Sequence, residues 1–213
     1  MDIERMRRDA EAPVKAGAAD IDSVSRDLAA AFVDDPLFNW LSRADSGRDA
    51  ARFGFFRHLM KGLILPVGET LRPASGGAAA VWMGSETLGP NTLIEELRAL
   101  PVLLRLTGFS RFSRMISLRA VMDNAHPTDR PHAYLWFLGV TPRAQGHGIG
   151  SRLLKAKLDQ LDAAETPAFL ETATERNVAL YRRHGFDVIS QYRPAPDAPP
   201  MWAMWREAAR GGG

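Results

Sequence analysis

The sequence predicts an α/β fold, a mixed central β-sheet flanked by helices, with a helical insert before the strand at residues 134–140. Three observations predict it. First, the apolar period changes from two to about 3.6 within Tyr134–Leu154, YLWFLGVTPRAQGHGIGSRLL. Tyr134, Trp136, Leu138 and Val140 alternate as in a strand, and Ile149, Leu153, Leu154, Leu158 and Leu161 share one helical face. Second, strand and helix patterns continue to alternate on both sides of that stretch. Third, 213 residues with 46% hydrophobic and 24% charged content suffice for one folded domain, residues 1–213, with a substantial core.

Taken in order, residues 1–10 are charged and read as frayed or as a short helix, and Ala12–Ala16 as a first strand. Ile21, Val24, Leu28 and Phe32 mark a helix that Pro36 is expected to stop. Asp34-Asp35-Pro36-Leu37-Phe38-Asn39-Trp40 then reads as a loop joining acidic groups to large aromatics. That composition suits an amine pocket, or a helix end tucked onto the core. Asp49–Leu65 is a second helix, ended by Pro66 and Gly68. Thr70–Pro73 and Ala78–Met83 form a hairpin across Ala74-Ser75-Gly76-Gly77.

Residues 85–125 are a broken helical insert punctuated by Pro90, Pro101 and Gly108. One apolar stripe is Leu93, Ile94, Leu97 and Leu100; a second is Phe109, Phe112, Met115, Ile116 and Val121. Such stripes are ordinarily core, and an insert of this length can also cover a cleft. His126–His132 follows as a proline-containing loop. Its two histidines and intervening Asp129 invite a metal reading, but no second ligand cluster accompanies them, so the expectation is a loop and no metal. After the central helix come a strand at Ala168–Thr172, a helix at Asn177–His184 closed by Gly185, and a hairpin of Phe186–Tyr192 with Met201–Arg206. Gly211-Gly212-Gly213 is expected to be disordered.

Composition narrows the function. A net charge of only +2, despite a pI near 9.2, argues for neither nucleic-acid nor membrane binding. With no cysteine there are no disulfides, thiolate metal sites or acyl-cysteine intermediates. No signal peptide or membrane-spanning run is apparent, and a cytoplasmic protein is the default. Oligomeric state is left open.

The glycine-rich turn Gln145-Gly146-His147-Gly148-Ile149-Gly150 at a helix start is an anion site in kind, because the first helical amides lack intrahelical acceptors and the dipole favours negative charge. Arg143, Arg152, Lys155 and Lys157 lie nearby, either to meet phosphates or as a solvated helix face. A Walker A loop would need Gly-Lys-Ser/Thr, which is absent. A dinucleotide loop would need a sixth-position glycine where Ser151 stands. What remains, Q-x-x-G-x-G after a strand and Val-Thr-Pro, resembles the acetyl-CoA pyrophosphate loop of the GNAT superfamily of N-acetyltransferases. A second stretch strengthens the resemblance: Asn177, Tyr181, Gly185 and Phe186 match its N-x-x-x-Y-x-x-x-G-F motif.

The resemblance implies a GNAT-type sheet and acetyl-CoA as co-substrate. It implies coenzyme contacts from Leu138, Gly139, Val140, Gln145, Gly146, His147, Gly148, Ile149, Gly150, Ser151 and Asn177, and it implies that Tyr181 protonates the departing thiolate. A phenol with a pKa of about 10 stays protonated at neutral pH and can donate. It further implies a bulge, for which Gly139 is the candidate, leaving an amide near Leu138 to bond the thioester oxygen. Within the superfamily the chain is similar to the puromycin N-acetyltransferase group at Ala30-Ala31-Phe32 with Pro36, Ala79–Trp82, Phe169–Thr172 and Trp202–Arg206.

Acetyl transfer needs a neutral amine. Glu171 is the candidate base, with Asp34, Asp35 and Glu175 as rivals and a turn-capping role as its alternative. Phe38, Trp40, Trp82 and Phe112 are expected to line an apolar pocket for an amine on a hydrophobic or aromatic body. The function expected is acetyl transfer to a small-molecule amine by direct attack. The alternative is a non-catalytic acyl-CoA sensor or interaction module.

Overall fold

Caps and prolines decide where the helices begin. The computed structural model describes residues 2–87 and 93–209, with side chains described outside 93–96. Pro90, the Leu93 and Ile94 side chains and the 211–213 tail lie outside the described residues. Helix α1 (Ile3–Glu11) is capped by the Asp2 carboxylate, which accepts from the Arg5 amide at 3.1 Å, and it buries Met6 and Ala10, so it is not frayed. Strand β1 (Val14–Lys15) and helix α2 (Ile21–Ala31) follow.

Pro36 starts a helix rather than stopping one. The loop expected at 34–40 is instead an N-cap and the short α3 (Pro36–Leu41): Asp35 accepts from the Phe38 amide at 2.9 Å, and proline suits a first-turn position that needs no N–H. Helix α4 (Arg48–Leu59) widens into a π turn at Met60–Ile64 and ends in α5 (Leu65–Val67). Strands β2 (Glu69–Arg72) and β3 (Ala78–Gly84) form the expected hairpin.

The segment expected to be an insert holds α6 (Leu93–Thr107) and α7 (Phe112–Ala125). Most described residues of its predicted stripes are not the buried ones. Leu97 is 59% exposed and Phe109 89%, and Leu100 and Ile116 also face outward. Met115 of the second stripe packs inward, together with Val102, Leu103, Leu106, Leu118 and Met122. Apolar residues occur on several faces of these helices, so spacing alone does not select the packed one.

Strand β4 (Ala133–Val140), helix α8 (Ile149–Ala163), β5 (Ala168–Thr172), α9 (Glu175–Arg182), β6 (Asp187–Tyr192) and β7 (Met201–Arg206) complete the chain. The sheet order is β1-β2-β3-β4-β5-β7-β6, with β4 and β5 parallel and the other neighbours antiparallel. Each face of the sheet carries its own core. On one, α1, α8 and α9 cover Ala80, Trp82, Leu135 and Leu170; on the other, α2, α3, α4, α6 and α7 cover Val81, Met83, Tyr134 and Phe169. Among the described residues no helix is long and apolar enough to cross a membrane.

The expected bulge is present but displaced. Val81 pairs with Phe137 and Trp82 with Leu135, so Trp136 is the extra residue. Tyr134, Trp136 and Phe137 consequently share one face and Leu138 and Val140 take the other, which breaks the expected alternation. Gly139 pairs regularly with Ala79. Its glycine answers a packing demand: a Cβ there would lie 2.9 Å from the Ala31 Cβ and 3.0 Å from the Leu28 Cδ2, where α2 crosses β4. Gly139→Ala is therefore expected to destabilise by about 1–3 kcal/mol through overpacking. In a chain of this size that lowers Tm by roughly 2–4 °C per kcal/mol; an unchanged Tm would remove the packing explanation.

Candidate active site

Pairing between β4 and β5 runs only from Ala133 to Leu135 against Ala168 to Leu170. From Trp136 onward β4 has no strand partner on that side, while β5 stays paired to β7 through Thr172. The gap opens beside the glycine-rich loop. There Gly146 and Gly148 hold φ of 81° and 72°, left-handed values that favour glycine, and Gly148 is the N-cap of α8. No side chain caps this helix, and residues 145–148 are exposed. Gly150 lets α8 approach β4, since a Cβ there would meet the Val140 Cγ2 at 3.3 Å.

Side chains around the loop brace it. The Gln145 amide donates to the Val140 carbonyl at 3.0 Å, and the Ser151 hydroxyl lies 2.6 Å from His184 Nε2. Burial lowers the His184 pKa, with Arg183 and Arg206 adding to the shift, so the ring is a neutral partner. His147 is exposed. Of the four basic residues near the loop, three are in ion pairs: Arg152 with Glu11, Lys155 with Asp159 and Lys157 with Glu69. The exposed loop offers its backbone amides, with exposed Arg143 and the Arg152 guanidinium, which donates to the Gly148 carbonyl at 3.2 Å, beside them. This fits a pyrophosphate: left-handed glycines without side chains cradle open helix-terminal N–H groups.

On the same face, Thr174 caps α9 by accepting from the Asn177 amide at 3.3 Å. Asn177 is half-buried and Tyr181, one turn on, is buried against Phe186 with ring centres 5.9 Å apart. Burial first, and the Asp35 charge second, hold the Tyr181 phenol well above its ordinary pKa.

The opposite face carries the carboxylate. Glu171 lies one step beyond the last β4–β5 pair, on the side of Phe169. Tyr134 donates to its Oε2 at 3.0 Å and Tyr192 to its Oε1. Desolvation outweighs those hydrogen bonds and raises the Glu171 pKa to about 7. Sequence reasoning missed both tyrosines; strand order supplies them, since β6 lies two strands from β5. Among the rivals, Asp35 is raised by burial against the pull of the Phe38 amide, whereas Asp34 and Glu175 are exposed.

The predicted acceptor residues do not all meet. Phe38 and Trp40 are buried in the core on the Glu171 side, Phe38 among Phe32, Phe55, Phe56 and Phe137. Trp82 points to the other face, toward α8, because its β3 neighbours Val81 and Met83 take the Glu171 side. Phe112 is half-buried and is not among the α7 residues that pack on the core.

The order of the sheet and the gap between its two parallel strands decide the fold. It is that of the GNAT acetyltransferases. Residues 108–186 match the model of the acetyltransferase (GNAT) family. A Corynebacterium glutamicum structure described as histone acetyltransferase HPA2 and related acetyltransferase superposes with a TM-score of 0.67 at 23% identity, covering 94% of this chain and 98% of that one. The Drosophila melanogaster polyamine N-acetyltransferase gives a TM-score of 0.64 at 16% identity, with 92% and 98% covered. Arylalkylamine N-acetyltransferase 2 from Aedes aegypti gives 0.63 at 15%, with the same coverage. In sequence, 75 residues, 32% of this chain, are 37% identical to mycothiol acetyltransferase of Propionibacterium freudenreichii, a match spanning 24% of that relative's length.

Proposed function

We propose that this GNAT-fold chain moves an acetyl group from acetyl-CoA to the amine of a small molecule by direct attack. The observation that carries the reading is the division of chemistry across the gap. A phenol lies on the loop side, and a carboxyl with a pKa near neutrality lies on the other. Acetyl-CoA supplies the activated acyl thioester. The loop amides of residues 146–151 hold its pyrophosphate, and Asn177 bonds the coenzyme beside them. Glu171 accepts the ammonium proton and so presents a neutral amine, while Tyr181 gives a proton to the sulfur side. The unpaired edge of β4 offers backbone donors to the acyl oxygen.

For the acceptor we propose an amine on a hydrophobic or aromatic body, because apolar burial gives affinity and the carboxylate orients the nitrogen. The wall then consists of Phe38, Trp40, Trp136 and Tyr192, with Trp82 excluded by its position. Similar folds act by name on arylalkylamines and on polyamines, so both classes belong in the test. Coenzyme A release is followed with aromatic amines, polyamines and lysine peptides side by side. Preference for polyamines overturns the acceptor class, and release from none of them moves the reading to a coenzyme-binding sensor.

The coenzyme loop has its own test. Gly148→Asp places a carboxylate among the amides at a left-handed position and is expected to abolish acetyl-CoA binding while the fold survives. Unchanged affinity by calorimetry removes the premise.

A further inference from the structure

Spacing alone leaves His126 and His132 as residues of a loop, yet the fold brings their rings together. Their Nε2 atoms stand 3.1 Å apart and their ring centres 4.9 Å apart. Two imidazoles each aimed at one ion ~2.0 Å away near the tetrahedral angle place the nitrogens about 3.2 Å and the ring centres about 5 Å apart. A collinear N–H···N bond of the same length would hold the centres roughly 5.4 Å apart. The rings are therefore bent off a straight N–H···N line, at two distances that a shared ion would also produce.

We propose that His126 and His132 form a two-nitrogen site for a late first-row divalent ion, Zn²⁺ or Ni²⁺, at the C-terminal end of α7. His132 Nδ1 lies 3.0 Å from the Arg130 carbonyl, to which it donates, leaving the Nε2 lone pair for the ion. A ligating histidine oriented through its other nitrogen by a backbone carbonyl is the usual outer arrangement of such sites. Aromatic walls hold both rings. Tyr134 and Phe169 meet His126 edge-on at 5.0 and 4.8 Å, and Trp205 meets His132 at 5.1 Å. On binding, His126 carries its proton on Nδ1, so both Nε2 atoms donate lone pairs and no net proton is lost.

Nitrogen donors exclude Mg²⁺ and Ca²⁺, which take oxygen. Among the described residues no group of three or more His, Cys, Asp or Glu side chains converges. The chain thus offers two ligands, and water completes the shell. The site does not depend on acetyl transfer, so its test uses neither acetyl-CoA nor an amine.

The full chain, freed of metal with EDTA, is titrated with ZnCl₂ by calorimetry beside His126→Ala, His132→Ala and, as a control histidine elsewhere, His58→Ala. One zinc per chain is expected, weakened by at least about 10–100-fold in His126→Ala and His132→Ala and unchanged in His58→Ala. No binding by the wild-type chain, or equal affinity in His126→Ala, overturns the proposal and leaves a plain histidine–histidine hydrogen bond. Should the buried His132→Ala fail to fold, His126→Ala decides alone, because its ring is only half-buried. Co²⁺ provides the second measurement: nitrogen-ligand d–d bands present in wild type and lost in His126→Ala support the site, and identical spectra sink it.

Discussion

Glu171→Gln is expected to lower acetyl transfer by about 10²–10⁴-fold, the range for losing a general base, with coenzyme affinity little changed. The wild-type pH profile should carry the same group. A base must be deprotonated to act, so kcat/KM rises with pH through about 7 and levels above it; the Gln variant lacks that rise. Stability runs the other way. Glu171 binds its proton more tightly folded, at about 7, than at the ordinary 4.5. The folded chain therefore loses stability as pH climbs from about 4.5 to 7, by roughly 3 kcal/mol at 1.36 kcal/mol per pKa unit. Gln removes that cost. At pH 8 the inactive variant should melt no lower than wild type, which separates a lost base from a lost fold. A Gln variant with wild-type turnover would pass the role to Asp35, the other carboxyl raised by burial.

How much of this was legible in the sequence depends on how local each cause is. The loop at Gln145–Gly150 and the left-handed Gly185 after α9 rest on dihedrals and spacings within a few residues, and they were readable. The hairpins of β2 with β3 and of β6 with β7 were readable in the same way. Gly139 was misread because its cause is α2 crossing β4, a contact between residues more than a hundred positions apart. The bulge at Trp136 left no mark, since Tyr134 to Leu138 is apolar at every position and the register shift changes no visible polarity. Trp82 was placed on the wrong face for the same reason: Ala78 to Met83 is apolar throughout. Pro36 was read as a stop because proline both ends and begins helices, and only the Asp35 cap distinguishes the two. Tyr134 and Tyr192 reach Glu171 from different strands, 37 and 21 residues away in the chain, and no local pattern marks them.

Tyr181→Phe should lower turnover by about 10²–10⁴-fold with coenzyme affinity almost unchanged. The ring stays, so its packing on Phe186 and the fold should survive, and the change isolates one hydroxyl. Because burial and the Asp35 charge hold the phenol above its usual pKa, Tyr181 remains protonated across the assay range and adds no falling limb to the pH profile. The same shift makes it a reluctant donor. Even at ordinary values, a phenol near 10 giving its proton to a thiolate near 8.5 runs uphill by about 2 kcal/mol. Its contribution must therefore come as charge builds on sulfur, through a hydrogen bond that strengthens as the carbon–sulfur bond breaks. That account makes the defect depend on the leaving group. With an acetyl thioester of an acidic arylthiol, whose thiolate needs little help, Tyr181→Phe and wild type should converge. An equal defect with both thioesters would mean that the hydroxyl positions the acyl group instead, and a Phe variant turning over like wild type would reduce Tyr181 to packing.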